Sequence, residues 1–172
     1  TMCVSSGNEP FVFGGVAGPN YAGNRSIMST VYTNELSDKV TYVFQNDNGW
    51  QFNAVGVQPV MGQQANLAQW YGINQYLFYN ISDTLVAGMR FEWFRDNNGY
   101  RVYAPIRNAI SGGPARGNFQ GNFWEASWGL NWKPNRNWII RPELRYDWYS
   151  PDDMAAARNG GTPFGPTFGT LN

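Results

Sequence analysis

Apolar and polar positions alternate with a period of two along most of this chain, and the alternation is cleanest towards its end. From Trp138 one series reads Trp138, Ile140, Pro142, Leu144, Tyr146, Trp148, and the interleaved series reads Ile139, Arg141, Glu143, Arg145, Asp147. Successive side chains of a strand point to opposite sides, so this stretch predicts a strand with one apolar face and one charged face. The stretch Thr84–Asp96 repeats the arrangement: Leu85, Ala87, Met89, Phe91 and Trp93 oppose Val86, Gly88, Arg90, Glu92, Phe94 and Asp96. So does Asn118–Trp132, where Trp124, Ala126, Trp128, Leu130 and Trp132 oppose Glu125, Ser127, Gly129 and Asn131. Leu67–Tyr79 is less polarised, and its Tyr71, Ile73, Gln75, Leu77, Tyr79 series is read as the outward one. In Lys39–Phe52, Val40, Tyr42 and Phe44 oppose Thr41, Val43, Gln45 and Asp47, and Arg25–Leu36 is ambiguous.

These six segments are joined by connections that run short, long, short, long, short. The short ones fall at Ser37-Asp38, Asn80–Asp83 and Lys133–Asn137, and the long ones at Gly56–Asn66 and Asn97–Gly117. Three hairpins linked by long loops is the topology of an antiparallel up-and-down transmembrane β-barrel, which pairs brief turns on one side with long loops on the other. The one helical signal is a single turn at Met154–Arg158, closed by Gly160 and Gly161. Residues 1–172 read as one all-β domain, with loop-like ends at 1–24 and 150–172. Pro142 in mid-strand removes a ladder donor and implies a local bulge or an edge position.

A soluble sandwich would also alternate, with its apolar face in a core. Tryptophan favours lipid. It stands at both ends of the apolar series in the last two segments, and its ring and N–H suit the membrane interface. Trp138 and Trp148 are ten residues apart. That is roughly 33 Å along a strand, or roughly 23 Å of height at a ~45° tilt, close to the ~25 Å apolar band of a membrane barrel. Composition agrees: aromatics make up 17% and charged residues only 14%, so neutral polar groups fill the second face. The net charge is zero, which gives no attraction to nucleic acid. Histidine is absent, Cys3 is the one cysteine, and no metal-ligand cluster or nucleophile elbow is visible, so neither an enzyme nor a metal or cofactor site is expected. No apolar run reaches transmembrane-helix length, and no signal peptide is apparent.

Two segments share a charged motif, Arg90-x-Glu92-x-Phe94-x-Asp96 and Arg141-x-Glu143-x-Arg145-x-Asp147. The stretches Gly88–Val102 (GMRFEWFRDNNGYRV) and Trp138–Trp148 (WIIRPELRYDW) that contain them resemble the OmpL-like β-barrel porins of bacteria, over roughly residues 25–150. The resemblance implies an outer-membrane barrel acting as a porin, with no catalytic residues, and makes Pro142 a family feature. Six strands fall short of the roughly eight needed for closure, so the chain is expected to be a portion of a larger barrel.

The expected function is passive diffusion of small hydrophilic solutes or ions through a charged aqueous lumen in the bacterial outer membrane. Arg90, Glu92, Asp96, Glu125, Asn131, Arg141, Glu143, Arg145 and Asp147 are expected to line that lumen. Trp93, Trp124, Trp128, Trp132, Trp138, Tyr146 and Trp148 are expected to face lipid as an aromatic girdle. Outer-membrane lipid and small polar solutes are the expected partners, and a homo-oligomer such as a trimer is compatible with this reading. Two alternatives stand beside it: a soluble carbohydrate-binding β-sandwich, and a plugged or structural outer-membrane barrel. Asn97–Gly117, with Arg101, Arg107 and Arg116 and no acid, is either an external loop or an inward-folding constriction.

Overall fold

The computed structural model describes residues 1–9, 12–13, 16–17, 23–52, 67–102 and 119–152. Its elements are β1 (Met2–Glu9), β2 (Val12–Phe13), β3 (Val16–Ala17), β4 (Gly23–Ser37), β5 (Val40–Gln51), β6 (Ala68–Ser82), β7 (Leu85–Asp96), β8 (Gly121–Asn135), β9 (Trp138–Ile140) and β10 (Glu143–Pro151). No helix occurs among the described residues. One antiparallel sheet runs β1-β4-β5-β6-β7-β8-β10, with β9 also paired to β8, while β2 and β3 pair only with each other. Apart from β1, and from the short β9 that precedes β10 against β8, neighbours in this sheet are also neighbours in sequence, as an up-and-down wall requires. Among the described residues the sheet is open, with β1 at one edge and β10 at the other.

Three hairpins build it, and each turns in the same way. The loops are Asp38-Lys39, Asp83-Thr84 and Arg136-Asn137, two residues apiece. In each, a side-chain oxygen of the residue before the loop accepts the N–H two residues on. Ser37 Oγ takes Lys39 N (3.3 Å), Ser82 Oγ takes Thr84 N (3.3 Å) and Asn135 Oδ1 takes Asn137 N (3.0 Å). Serine and asparagine favour turns because their side chains replace a backbone partner in this manner. Each hairpin also shifts register just before its loop, between Glu35 and Ser37, Asn80 and Ser82, and Trp132 and Asn135. All three short turns lie at one edge of the sheet, and the long connections leave from the other.

Three expectations need correction. Residues 2–9 lie within the segment read as a loop-like end, yet they form β1, paired along its whole length with β4 from Met2↔Thr30 to Glu9↔Gly23. The last predicted strand is not continuous but breaks at Arg141-Pro142 into β9 and β10. Pro142 has no N–H to give, although its carbonyl still accepts Leu130 N at 3.1 Å, so the chain stays docked on β8 through the break. At their turn ends β4 runs one residue, and β6 and β8 three residues, further than their periodicity indicates, because those ends carry no alternation to read. The predicted helical turn at Met154–Arg158 lies outside the described residues.

Candidate functional site

Directly opposed residues of an antiparallel pair share a face, so the register sorts every side chain of the wall into two sets. On β7, β8 and β10 one set forms rows across the strands. Moving from the long-loop edge towards the turns, these are Phe94/Phe123/Tyr149, Glu92/Glu125/Asp147, Arg90/Ser127/Arg145 and Gly88/Gly129/Glu143. Asn131 follows opposite Val86, and Arg141 reaches it with Nε at 3.4 Å from Oδ1. The structure thus brings Arg90, Glu92, Glu125, Asn131, Arg141, Glu143, Arg145 and Asp147 onto one face. The two charged motifs do not align residue for residue. Arg90 is level with Arg145 rather than Arg141, because β10 is staggered by four residues relative to β7.

The result is a row of acids beside a row containing two cations. Three carboxylates stand side by side in Glu92, Glu125 and Asp147. Like charges directly opposite one another repel, and two arginines offset the repulsion. Arg90 bridges two of the acids, with Nε at 2.6 Å from Glu125 and Nη2 at 3.0 Å from Glu92. Arg145 turns along its own strand to Asp147, with Nη2 at 2.7 Å. Glu125 is nearly buried, at 3% exposure, and its Oε1 has no hydrogen-bond partner among the described residues.

The opposite set is apolar and open. Its rows are Trp93/Trp124/Trp148, Phe91/Ala126/Tyr146, Met89/Trp128/Leu144, Ala87/Leu130 and Leu85/Trp132/Ile140. Trp128 is 49% exposed, Leu144 70% and Tyr146 65%. The tryptophan row nearest the long loops is a continuous ring contact. Centroids lie 6.1 Å apart for Trp93–Trp124 and 6.2 Å for Trp124–Trp148, with Phe91 against both Trp124 and Trp148. Trp93 Nε1 donates to Asn122 Oδ1 at 3.0 Å, and just beyond it Arg95 makes a two-pronged ion pair with Asp152, both oxygens at 2.6 Å. The apolar band therefore ends abruptly in polar groups. At the turn edge Trp132 and Trp138 are 44% and 64% exposed.

Strands β5 and β6 continue both sets. Tyr71, Ile73, Gln75, Leu77 and Tyr79 are level with Arg95, Trp93, Phe91, Met89 and Ala87, so they share the outward face. On β5 that face carries Val40, Tyr42 and Phe44, together with Asn46 and Asn48. Polar groups interrupt it there. Tyr42 Oη donates to Gln75 Oε1 at 2.9 Å, and Asn46 Nδ2 donates to the Gly72 carbonyl at 3.0 Å.

Two expected charges are not open lining groups: Glu125, at 3% exposure, is buried against Arg90, and Asp96 is taken up by backbone. Asp96 lies on the charged face but is 0% exposed, and its carboxylate accepts the backbone N–H groups of Tyr100, Arg101 and Val102. A carboxylate at the end of a charged series looks like another lining group, and only the path of the following chain reveals it as a cap. Around it sit residues that periodicity did not single out: Gln51, Ala68, Trp70, Asn98 and Tyr100. The run Asp96-Asn97-Asn98-Gly99 is the signal that could have found them, since Asp and Asn bond to nearby backbone and Gly takes positive φ (65° at Gly99).

A comparison with family models matches residues 6–170 of the chain to the family described as "Putative beta-barrel porin-2, OmpL-like". No curated protein matches, and no solved structure matches.

Proposed function

The chain belongs to the OmpL-like β-barrel porin-2 family, and we propose that it forms wall of an outer-membrane pore through which small hydrophilic solutes and ions diffuse passively. One observation carries the reading. On β8, inside the sheet, the face bearing Glu125 (3% exposed) and Ser127 (8%) is sheltered, while the face bearing Trp128 (49%) and Leu130 (42%) is open; on the edge strand β10 both faces are exposed. A water-soluble domain is built the other way round, and burying charge while exposing tryptophan is costly unless hydrocarbon surrounds the apolar face. This inversion counts against a soluble sugar-binding sandwich. It supports Arg90, Glu92, Asn131, Arg141, Glu143, Arg145 and Asp147 as lumen-lining groups, with Glu125 in their ion-pair network and the tryptophan rows as interface girdles.

In such a lumen the rows act on solutes by position. Fixed charges of both signs, about one row apart, orient dipolar solutes and lower the cost of stripping water from small ions. Neither sign dominates strongly, so weak ion selection is expected. Diffusion of this kind needs no catalytic group, and the family supports a channel role rather than an enzymatic one.

Reconstitution of the protein at its full natural length in a planar bilayer tests the proposal. Stepwise current increments from folded, heat-modifiable protein are expected. Silence from correctly folded protein would instead favour a plugged or structural barrel.

The amide-bearing stretch of the outward face around Asn46, Asn48 and Gln75 favours contact with another copy there rather than with lipid tails. The mass of the detergent-solubilised protein should then exceed that of one chain, and Asn48→Leu should weaken the assembly.

A further inference from the structure

Building on the pore reading, the mouth at the long-loop edge holds more than open wall. The chain leaving β7 keeps the ladder with β6 for one more residue and then turns. Asn97 N donates to the Gln69 carbonyl at 3.0 Å, Gln69 N donates to Asn98 Oδ1 at 2.9 Å, and Gln120 Nε2 donates to the Asn97 carbonyl at 2.6 Å. Gly99, with φ at 65°, reverses the direction. The buried Asp96 carboxylate then gathers three consecutive donors, Tyr100 N (2.9 Å), Arg101 N (2.6 Å) and Val102 N (2.9 Å). Convergent backbone N–H groups of this sort form a nest that fits one anion.

The direction taken is across the charged face. Tyr100 packs against Ala68 and Trp70, beside Ile27 and Phe94. Its hydroxyl receives Gln51 Nε2 at 3.4 Å, and Gln51 lies on β5, two strands away from β7. The Arg101 guanidinium stands 4.5 Å above the Trp70 ring. Opposite Trp70 the wall has Gly49, and a Cβ at that position would collide with the indole, so the backbone is bare where the ring lies down.

We propose that Asp96 is a positioning residue that pins Asn97–Val102 as a fixed strap over the lumen side of β5, β6 and β7, and that Arg101 on this strap sets the charge an entering solute meets first. The strap narrows the mouth and favours anionic and neutral polar solutes there, ahead of the acidic row below. Asparagine at position 96 keeps the size of the side chain but offers a single acceptor oxygen and two donors of its own, so it cannot hold three N–H groups.

Planar-bilayer recordings of the full-length protein in a Cys3→Ser background separate this inference from the pore reading. If folded parent protein gives no steps, it is the pore that fails. If it conducts, Asp96→Asn should raise unit conductance roughly twofold and add open-state noise, and Arg101→Glu should move the reversal potential towards cations. An unchanged conductance for the first variant, or an unmoved potential for the second, overturns the proposal. Should Asp96→Asn fail to give the folded, heat-modifiable band, Arg101→Cys decides, because it keeps all three backbone donors. A cationic thiol reagent added on the long-loop side should then cut its current by roughly half, and no effect overturns the proposal.

Discussion

Glu92 and Glu125 stand directly opposite one another on β7 and β8, and a single guanidinium, Arg90, holds both. The pair is tolerable only because the cation between them is shared. Removing it leaves a nearly buried carboxylate facing a second one, with Asp147 on its other flank.

Arg90→Met should therefore destabilise the folded wall by about 2 kcal/mol, less than the roughly 3–5 kcal/mol for breaking a fully buried pair because the arginine is partly exposed. A second change, Glu125→Gln, should recover most of the loss by removing the charge left behind. Urea titrations of the refolded protein in vesicles, followed by tryptophan emission, measure both. If the double variant is as unstable as the single one, the shared-cation account fails.

The outward rows predict a dependence on depth. Met89 lies midway between the rows of Leu85 and Trp93, so Met89→Arg puts a charge at the centre of the apolar band and should cost about 2–4 kcal/mol. Trp148→Arg, in the boundary row, should lose only about 1 kcal/mol through charge, plus whatever ring packing contributes. Equal losses in the same vesicle assay would contradict the placement of the band.

Alternation within one strand gives a sharper check of the two faces. In a Cys3→Ser background, Glu143→Cys should react with a water-borne thiol reagent, while Leu144→Cys, one residue on, should be spared in lipid. Comparable labelling of both would mean that the faces are misassigned.

Gly49→Ala should destabilise the long-loop edge by about 1–3 kcal/mol, because its methyl group enters the space held by the Trp70 indole. Adding Trp70→Leu should remove that clash, so the double variant should be more stable than the sum of the two single effects implies. Additive losses would show that Gly49 is needed for some other reason.

Periodicity revealed the fold best where both faces are pure. On β7, β8 and β10, one look at Leu85–Trp93 or Leu144–Trp148 separates the sides, and the hairpin loops announce themselves through Ser37, Ser82 and Asn135. The strand β1 was not legible, because Met2 and Val4 alternate only with Cys3 and Ser5, and its pairing to β4 is a long-range choice of register. The stagger of β10 was equally hidden. Two identical spacings in sequence carry no information about which rungs they occupy. Asp96 departs from its sequence expectation for a different reason: residue type and parity hold, but the chain after it turns back and occupies the carboxylate oxygens.

Trp93 and Glu92 are consecutive, and this adjacency couples two depths. On the proposed function, the indole row Trp93/Trp124/Trp148 floats at the lipid headgroups and fixes how far the wall sinks. The acids, one rung nearer the turns on the opposite face, must then lie about 3 Å below that waterline. A solute passing the strap meets carboxylates at once, level with the bilayer's own charged surface rather than at its middle, and no shift of the protein along the membrane normal could change one depth without the other.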